Sequence, residues 1–178
     1  MKYGARRIAH ISIAVSVAMI LSYIEFLLPP VWSAVPGIKL GLANIIIIFA
    51  IYRYGSGNAA IISGLRIFLS ALLFGSIMTL LYSAAGALLS LCGMMIVKKT
   101  GLFSTVGVSI VGGVLHNVGQ ILMAVILLRT AEIGYYMIVL AITGTLAGIA
   151  VGIAAASLIK HIPPDRNFLA PKKTDKIE

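Results

Sequence analysis

The chain has 178 residues, 60% of them hydrophobic and 11% charged, with a mean hydropathy of +1.07 and a net charge of +9. Soluble domains run nearer roughly 45–50% apolar and about 25% charged, and a body this small cannot hide the surplus. A soluble globular enzyme and a disordered chain are both excluded; an all-α polytopic membrane protein remains.

A spanning helix takes about 20 apolar residues, and the apolar runs between breakers number six. The first covers about 8–28 and stops at Pro29-Pro30. It is too long for the core of a signal peptide and lacks a small-residue cleavage site, so no cleaved leader is expected. Ala14, Ala18 and Ser22 recur along it every four residues, and Glu25 stands near its far end. The segment from Pro29 to Lys39, with Trp32, is long enough for a lid. The second run, about 38–53, begins after Pro36-Gly37 and is short for a crossing. Lys39 stands at its mouth and Asn44 one turn inside.

The third run, about 58–74, carries Arg66 near its middle. The fourth, about 77–97, carries Thr79, Ser83 and Ala87 at fourfold spacing, with Tyr82 one turn in, and closes on Lys98-Lys99. The fifth, about 104–128, holds His116, Asn117 and Gln120. The sixth, about 134–159, carries Gly144, Gly148, Gly152 and Ala156 on one face. Glycine and serine breaks at 55–57 and 75–76 are the weakest boundaries. A membrane domain over 1–162 is expected, with a polar, disordered tail over 163–178.

With the N-terminus inside, the cytoplasmic stretches hold Lys2, Arg6, Arg7, Arg53, Lys98, Lys99, Lys160, Arg166, Lys172, Lys173 and Lys176. The outer loops hold Lys39 and Arg129. That asymmetry follows the positive-inside rule and requires an even number of crossings, hence six with both termini cytoplasmic. Basic residues at the ends of apolar runs, rather than in a stripe, argue against nucleic acid as a partner. One cysteine, Cys92, excludes a disulfide framework and a cysteine-built metal site.

Lipid gives helices no hydrophobic reason to associate, so close approach at small residues must hold the bundle. The stripes of the fourth and sixth runs read as internal packing. The alanine face of the first is open to a second reading, the receipt of a partner's helix. Polar groups at membrane depth are costly and mark function by default. Arg66, His116, Asn117, Gln120, Asn44, Lys39, Glu25 and Tyr82 are all placed between the midplane and the outer surface, which points to a binding pocket open to the outside. Structural readings stand beside this one: Arg66 paired with Glu25, His116 and Asn117 cross-linking helices, and Tyr82 as an interface aromatic. A guanidinium below Lys39 favours a ligand with a carboxylate or phosphate.

The run Pro36-Gly37-Ile38-Lys39-Leu40-Gly41-Leu42-Ala43-Asn44-Ile45 resembles the signature of a bacterial membrane family described as heptaprenyl diphosphate synthase component I, or as "Gx transporter". The resemblance continues through Leu65-Arg66, Leu73-Phe74-Gly75, Tyr82-Ser83-Ala84-Ala85-Gly86 and His116-Asn117-Val118-Gly119-Gln120, and covers about residues 8–160. The family is similar to the substrate-binding S components of energy-coupling factor importers. It thereby implies a six-helix bundle with an outward pocket, a coupling transmembrane protein docking at Ala14 and Ala18, and separate ATPase subunits. No phosphate-binding loop of the GxxxxGK[ST] type occurs in the chain. Prenyl chain elongation needs paired aspartate-rich motifs, and the only aspartates are Asp165 and Asp175 in the tail. The leading expectation is therefore a non-enzymatic, cofactor-free importer subunit that captures a small anionic molecule. The alternatives are an accessory subunit of polyprenyl or quinone biosynthesis and a standalone carrier.

Overall fold

The computed structural model describes residues 2–27, 41–129 and 131–164. Lys39, the proposed lid around Trp32 and nearly all of the tail lie outside the described residues. Those that are described form helices and turns, with no strand among them. The helices are α1 (Lys2–Leu27), α2 (Asn44–Arg53), α3 (Ser56–Leu73), α4 (Ile77–Thr100), α5 (Thr105–Leu128) and α6 (Met137–His161), with a short 3₁₀ turn at Ala131–Tyr136 before α6.

The breaks fall where the local chemistry dictates. Gly55 (φ 84°) separates α2 from α3, and Gly101 (φ 70°) closes α4 in the left-handed region, where a side chain is disfavoured. Ser76 and Ser104 cap α4 and α5, accepting from Thr79 N and Gly107 N at 3.2 Å each. Large apolar side chains cover the outside, among them Ile13, Phe68, Leu88, Leu146 and Ile153. Such a surface is tolerable only against lipid. Five helices are long and apolar enough to cross a bilayer, and the chain is a multi-pass membrane protein.

The exception is α2. The expectation was a crossing over about 38–53, but the helix has 10 residues. At 1.5 Å per residue that is about 15 Å, half of a hydrocarbon core about 30 Å thick. Its start is fixed by Gly41, whose φ of 71° breaks helical geometry one turn earlier. Ile46, Ile47, Ile48, Phe49, Ala50 and Ile51 are all buried, so α2 has no lipid face. Among the described residues five helices are thus of crossing length, and α2 is a buried helix of about half that length.

Polar contacts place the ends of the helices. Arg7 donates to Asn58 Oδ1 at 2.7 Å, Lys98 Nζ to Ile51 O at 2.5 Å, and Arg53 to Ile159 O. The starts of α1 and α3 and the ends of α2, α4 and α6 thus share one basic end of the bundle. There α2 packs against α6 and α3, and with Met94, Val108 and Val151 it belongs to the main apolar core. At the opposite end Phe74 meets Tyr23 and Phe26, with ring centroids 5.5 and 5.3 Å apart.

Glycine joins α4, α5 and α6 into one slab. A Cβ on Gly148 would lie 2.7 Å from Ile110 Cα, one on Gly113 2.5 Å from Gly144 O, and one on Gly119 2.6 Å from Ala85 O. The stripe of α6 is internal packing, as its spacing indicated. The face expected to receive a partner helix is not open: Ala14 is 7% exposed, Ala18 0% and Ser22 9%. Here α1 turns its small residues inward, where it packs on α3 and α2, and gives its large ones to lipid. Ala18→Trp should accordingly lower the thermal stability of the isolated chain. Unchanged melting in detergent would show that the face is free.

Candidate functional site

Because α2 occupies only the basic half of the bundle, the described residues leave the other half with five helix walls and no central helix. A cavity of about 490 Å³ lies there, within the range of small-molecule sites. Its walls come from the last turns of α1, the start of α2, the second half of α3, about three quarters of α4, the first half of α5 and the glycine face of α6. On α4 the lining runs from Ser76 to Met94, about 27 Å of helix, so the chamber reaches deeper than the outer-half pocket expected from sequence. Below it the buried core side chains Ile47, Ile51 and Val108 close the basic end.

Five of the side chains singled out by depth meet on this cavity: Glu25, Asn44, Arg66, His116 and Asn117. They come from four helices, so only the tertiary fold unites them. Arg66 Nη1 donates to Ser22 Oγ at 3.3 Å, while its Nε is buried with no hydrogen-bond partner. Glu25 stands near enough to act on the guanidinium electrostatically, and its Oε1 accepts from Gly41 N at 2.5 Å. Glu25 thereby ties the end of α1 to the turn that starts α2. Asn117 is 8% exposed and donates from Nδ2 to Leu140 O at 2.7 Å. That bond is the helix cross-link weighed above, so Asn117 fixes the α5–α6 crossing at the cavity wall.

Two predicted residues do not join the cavity lining. Gln120 is half-buried at the α4–α5 crossing, its Cγ 3.0 Å from where a Cβ on Gly86 would sit. Tyr82 is half-buried on α4. The direction of each side chain, set by the α4–α5 crossing, was not legible from depth alone. Lys39 is outside the described residues, and Ala14 and Ala18 belong to the core rather than to a docking face.

Hydroxyl residues were the feature missed. Ser22, Ser70, Ser76, Thr79, Ser83, Ser90 and Ser109 all line the chamber. Thr79 and Ser83, read from their spacing as packing, face this space instead. Serine is too common in membrane helices to stand out. Helical register offered the signal: Ser70 is one turn beyond Arg66, and Ser109 two turns before His116. Among the described residues no group of three or more His, Cys, Asp or Glu is placed to hold a metal ion.

This arrangement is a polar, mostly enclosed chamber inside an apolar bundle, with one guanidinium, one carboxylate, an imidazole and many hydroxyls. It can hold a small molecule of mixed polarity, and a carboxylate or phosphate suits the Arg66 fork best. No curated protein and no solved structure matches this chain. A profile of the family described as heptaprenyl diphosphate synthase component I does match, over residues 14–158. That range takes in every wall of the chamber, and the chain belongs to the heptaprenyl diphosphate synthase component I family.

Proposed function

We propose that this chain is a non-catalytic membrane subunit of heptaprenyl diphosphate biosynthesis that holds a small anionic molecule in the chamber around Arg66. The observation that carries the reading is a guanidinium with an unpaired Nε on the wall of a 490 Å³ cavity. A cation at that depth is costly unless something compensates it, and Glu25 does so only from within the same chamber. Bond formation between prenyl diphosphates falls to a separate chain, since hard divalent cations want several oxygen ligands and the only two aspartates here are Asp165 and Asp175. The setting is a bacterial plasma membrane with both termini cytoplasmic, which puts the basic end on the side of a soluble partner.

Gentle extraction of a tagged chain should bring down a soluble prenyl transferase, and the complex should make long prenyl diphosphates that neither chain makes alone. Recovery of coupling ATPases in its place would favour the importer reading. One observation speaks for that second reading: the chamber extends to Glu25, Ser76 and Thr79, away from the basic end. Burial of Ala14 and Ala18 in the bundle weighs against the docking face on which it relied.

A further inference from the structure

Orphaned polar atoms concentrate at the chamber. Besides Arg66 Nε, the hydroxyls of Ser90 and Ser109 are buried without a hydrogen-bond partner, and both residues line the cavity. Each is 2% exposed. Buried hydroxyls in membrane helices ordinarily bond to a carbonyl one turn back, as Thr143 and Thr145 do on α6 with Val139 O and Ala141 O at 3.0 and 2.8 Å. Ser90 and Ser109 make no such bond.

The two hydroxyls lie on adjacent helices, Ser90 Oγ against Gly112 of α5 and Ser109 Oγ against Gly152 of α6. A Cβ on Gly112 would lie 3.3 Å from Ser90 Oγ, and Gly112 is one turn along α5 from Ser109. Around them the walls are nearly bare: Gly112, Gly113 and Gly148 line the cavity with backbone alone. Ser109 stands seven residues from His116 on α5, two turns on the same face and about 10 Å along the axis. The deep end is therefore uncharged but rich in unmet hydrogen bonds, at a set distance from the level of His116.

We infer that Ser90 and Ser109 form a second, neutral subsite at the floor of the chamber, and that the ligand is bipolar. It carries an anionic group for Arg66 at one end and, at the other, an uncharged hydroxyl or carbonyl that reaches about 10 Å deeper than the level of His116, joined by a slender apolar stretch that passes the glycine walls. A hydroxyl serves as donor and acceptor, so two serines take either group. This inference rests on the reading of Arg66 as the anion site and adds a second determinant to it.

Two probes of one length separate the subsites: octanoate and ω-hydroxyoctanoate, titrated against the full chain in detergent. The hydroxy acid should bind between about threefold and tenfold more tightly, the net worth of a hydrogen bond made in a buried site. Ser90→Ala/Ser109→Ala should erase that preference, leave octanoate affinity unchanged and keep the melting temperature. Equal affinity of the two acids for the native chain would overturn the floor subsite while the anion site stood. A preference that survives in the double variant would overturn the assignment to these serines. Failure of both acids to bind, or binding indifferent to Arg66→Ala, would overturn the anion site and this inference with it.

Discussion

Gly148→Leu should prevent the chain from accumulating as a folded, monodisperse species in detergent, whereas Gly64→Ala should leave yield and melting unchanged. Both positions are helix interiors within membrane-crossing segments, so propensity does not separate them. Their neighbours do. A Cβ on Gly148 would stand 2.7 Å from Ile110 Cα and 3.0 Å from Ser109 O, which are backbone atoms unable to yield without moving α5 as a whole. A Cβ on Gly64 meets nothing within 4 Å. In a bilayer the contact between α5 and α6 is held by close packing rather than by exclusion of water, so widening it forfeits the interaction itself. Overpacking a soluble core costs about 1–3 kcal/mol, and a leucine here adds three carbons beyond that first clash. The same displacement would move Ser109 and Asn117, both on the chamber wall. Gly93→Ala is an informative intermediate, because its nearest obstacle is the flexible end of the Leu115 side chain. Equal tolerance of all three substitutions, by size-exclusion profile and thermal melting, would show that α4, α5 and α6 are not joined through glycine.

How far the sequence foretold this structure depends on what kind of signal each feature left. Hydropathy marks a crossing strongly, and α1, α3, α4, α5 and α6 fall within a few residues of the apolar runs. It does not tell a lipid-facing helix from a fully enclosed one. By hydropathy alone the run Ile45-Ile46-Ile47-Ile48 reads as part of a short crossing, and its all-round apolarity fits the buried half-length helix it forms. The distinction matters, because the chamber lies beyond the start of this half-length helix. Depth arguments gathered Glu25, Asn44, Arg66, His116 and Asn117, since the cost of a polar group in hydrocarbon is visible in one dimension. Azimuth is not. It separated His116, on the chamber, from Gln120, one turn away at a helix crossing. It also turned Ala14 and Ala18 into the core rather than out toward a partner.

The pair Arg66 and Glu25 is the sharpest place to test whether the chamber is poised for a ligand or merely self-satisfied. Arg66→Met removes the cation and leaves Glu25 half-buried, still accepting from the Gly41 amide. Removing one of two opposite charges that act on each other at this depth is destabilising, by about 3 kcal/mol. For a chain of this size that is on the order of 10 °C in melting temperature. Glu25→Gln should cost less, since Arg66 keeps Ser22 and the glutamine can still accept from Gly41 N. The double variant Arg66→Met/Glu25→Gln should then recover most of the stability lost by Arg66→Met alone, a coupling that additive losses would refute. Binding should behave differently. If Arg66 is the anion site, octanoate affinity stays lost in the double variant although the fold returns, because neutralising Glu25 restores no cation. If the pair were only a structural tie, the double variant would regain binding together with stability. Recovery of the fold without recovery of binding is the outcome that assigns Arg66 to the ligand, and a single set of four proteins, measured by melting and by titration, decides it.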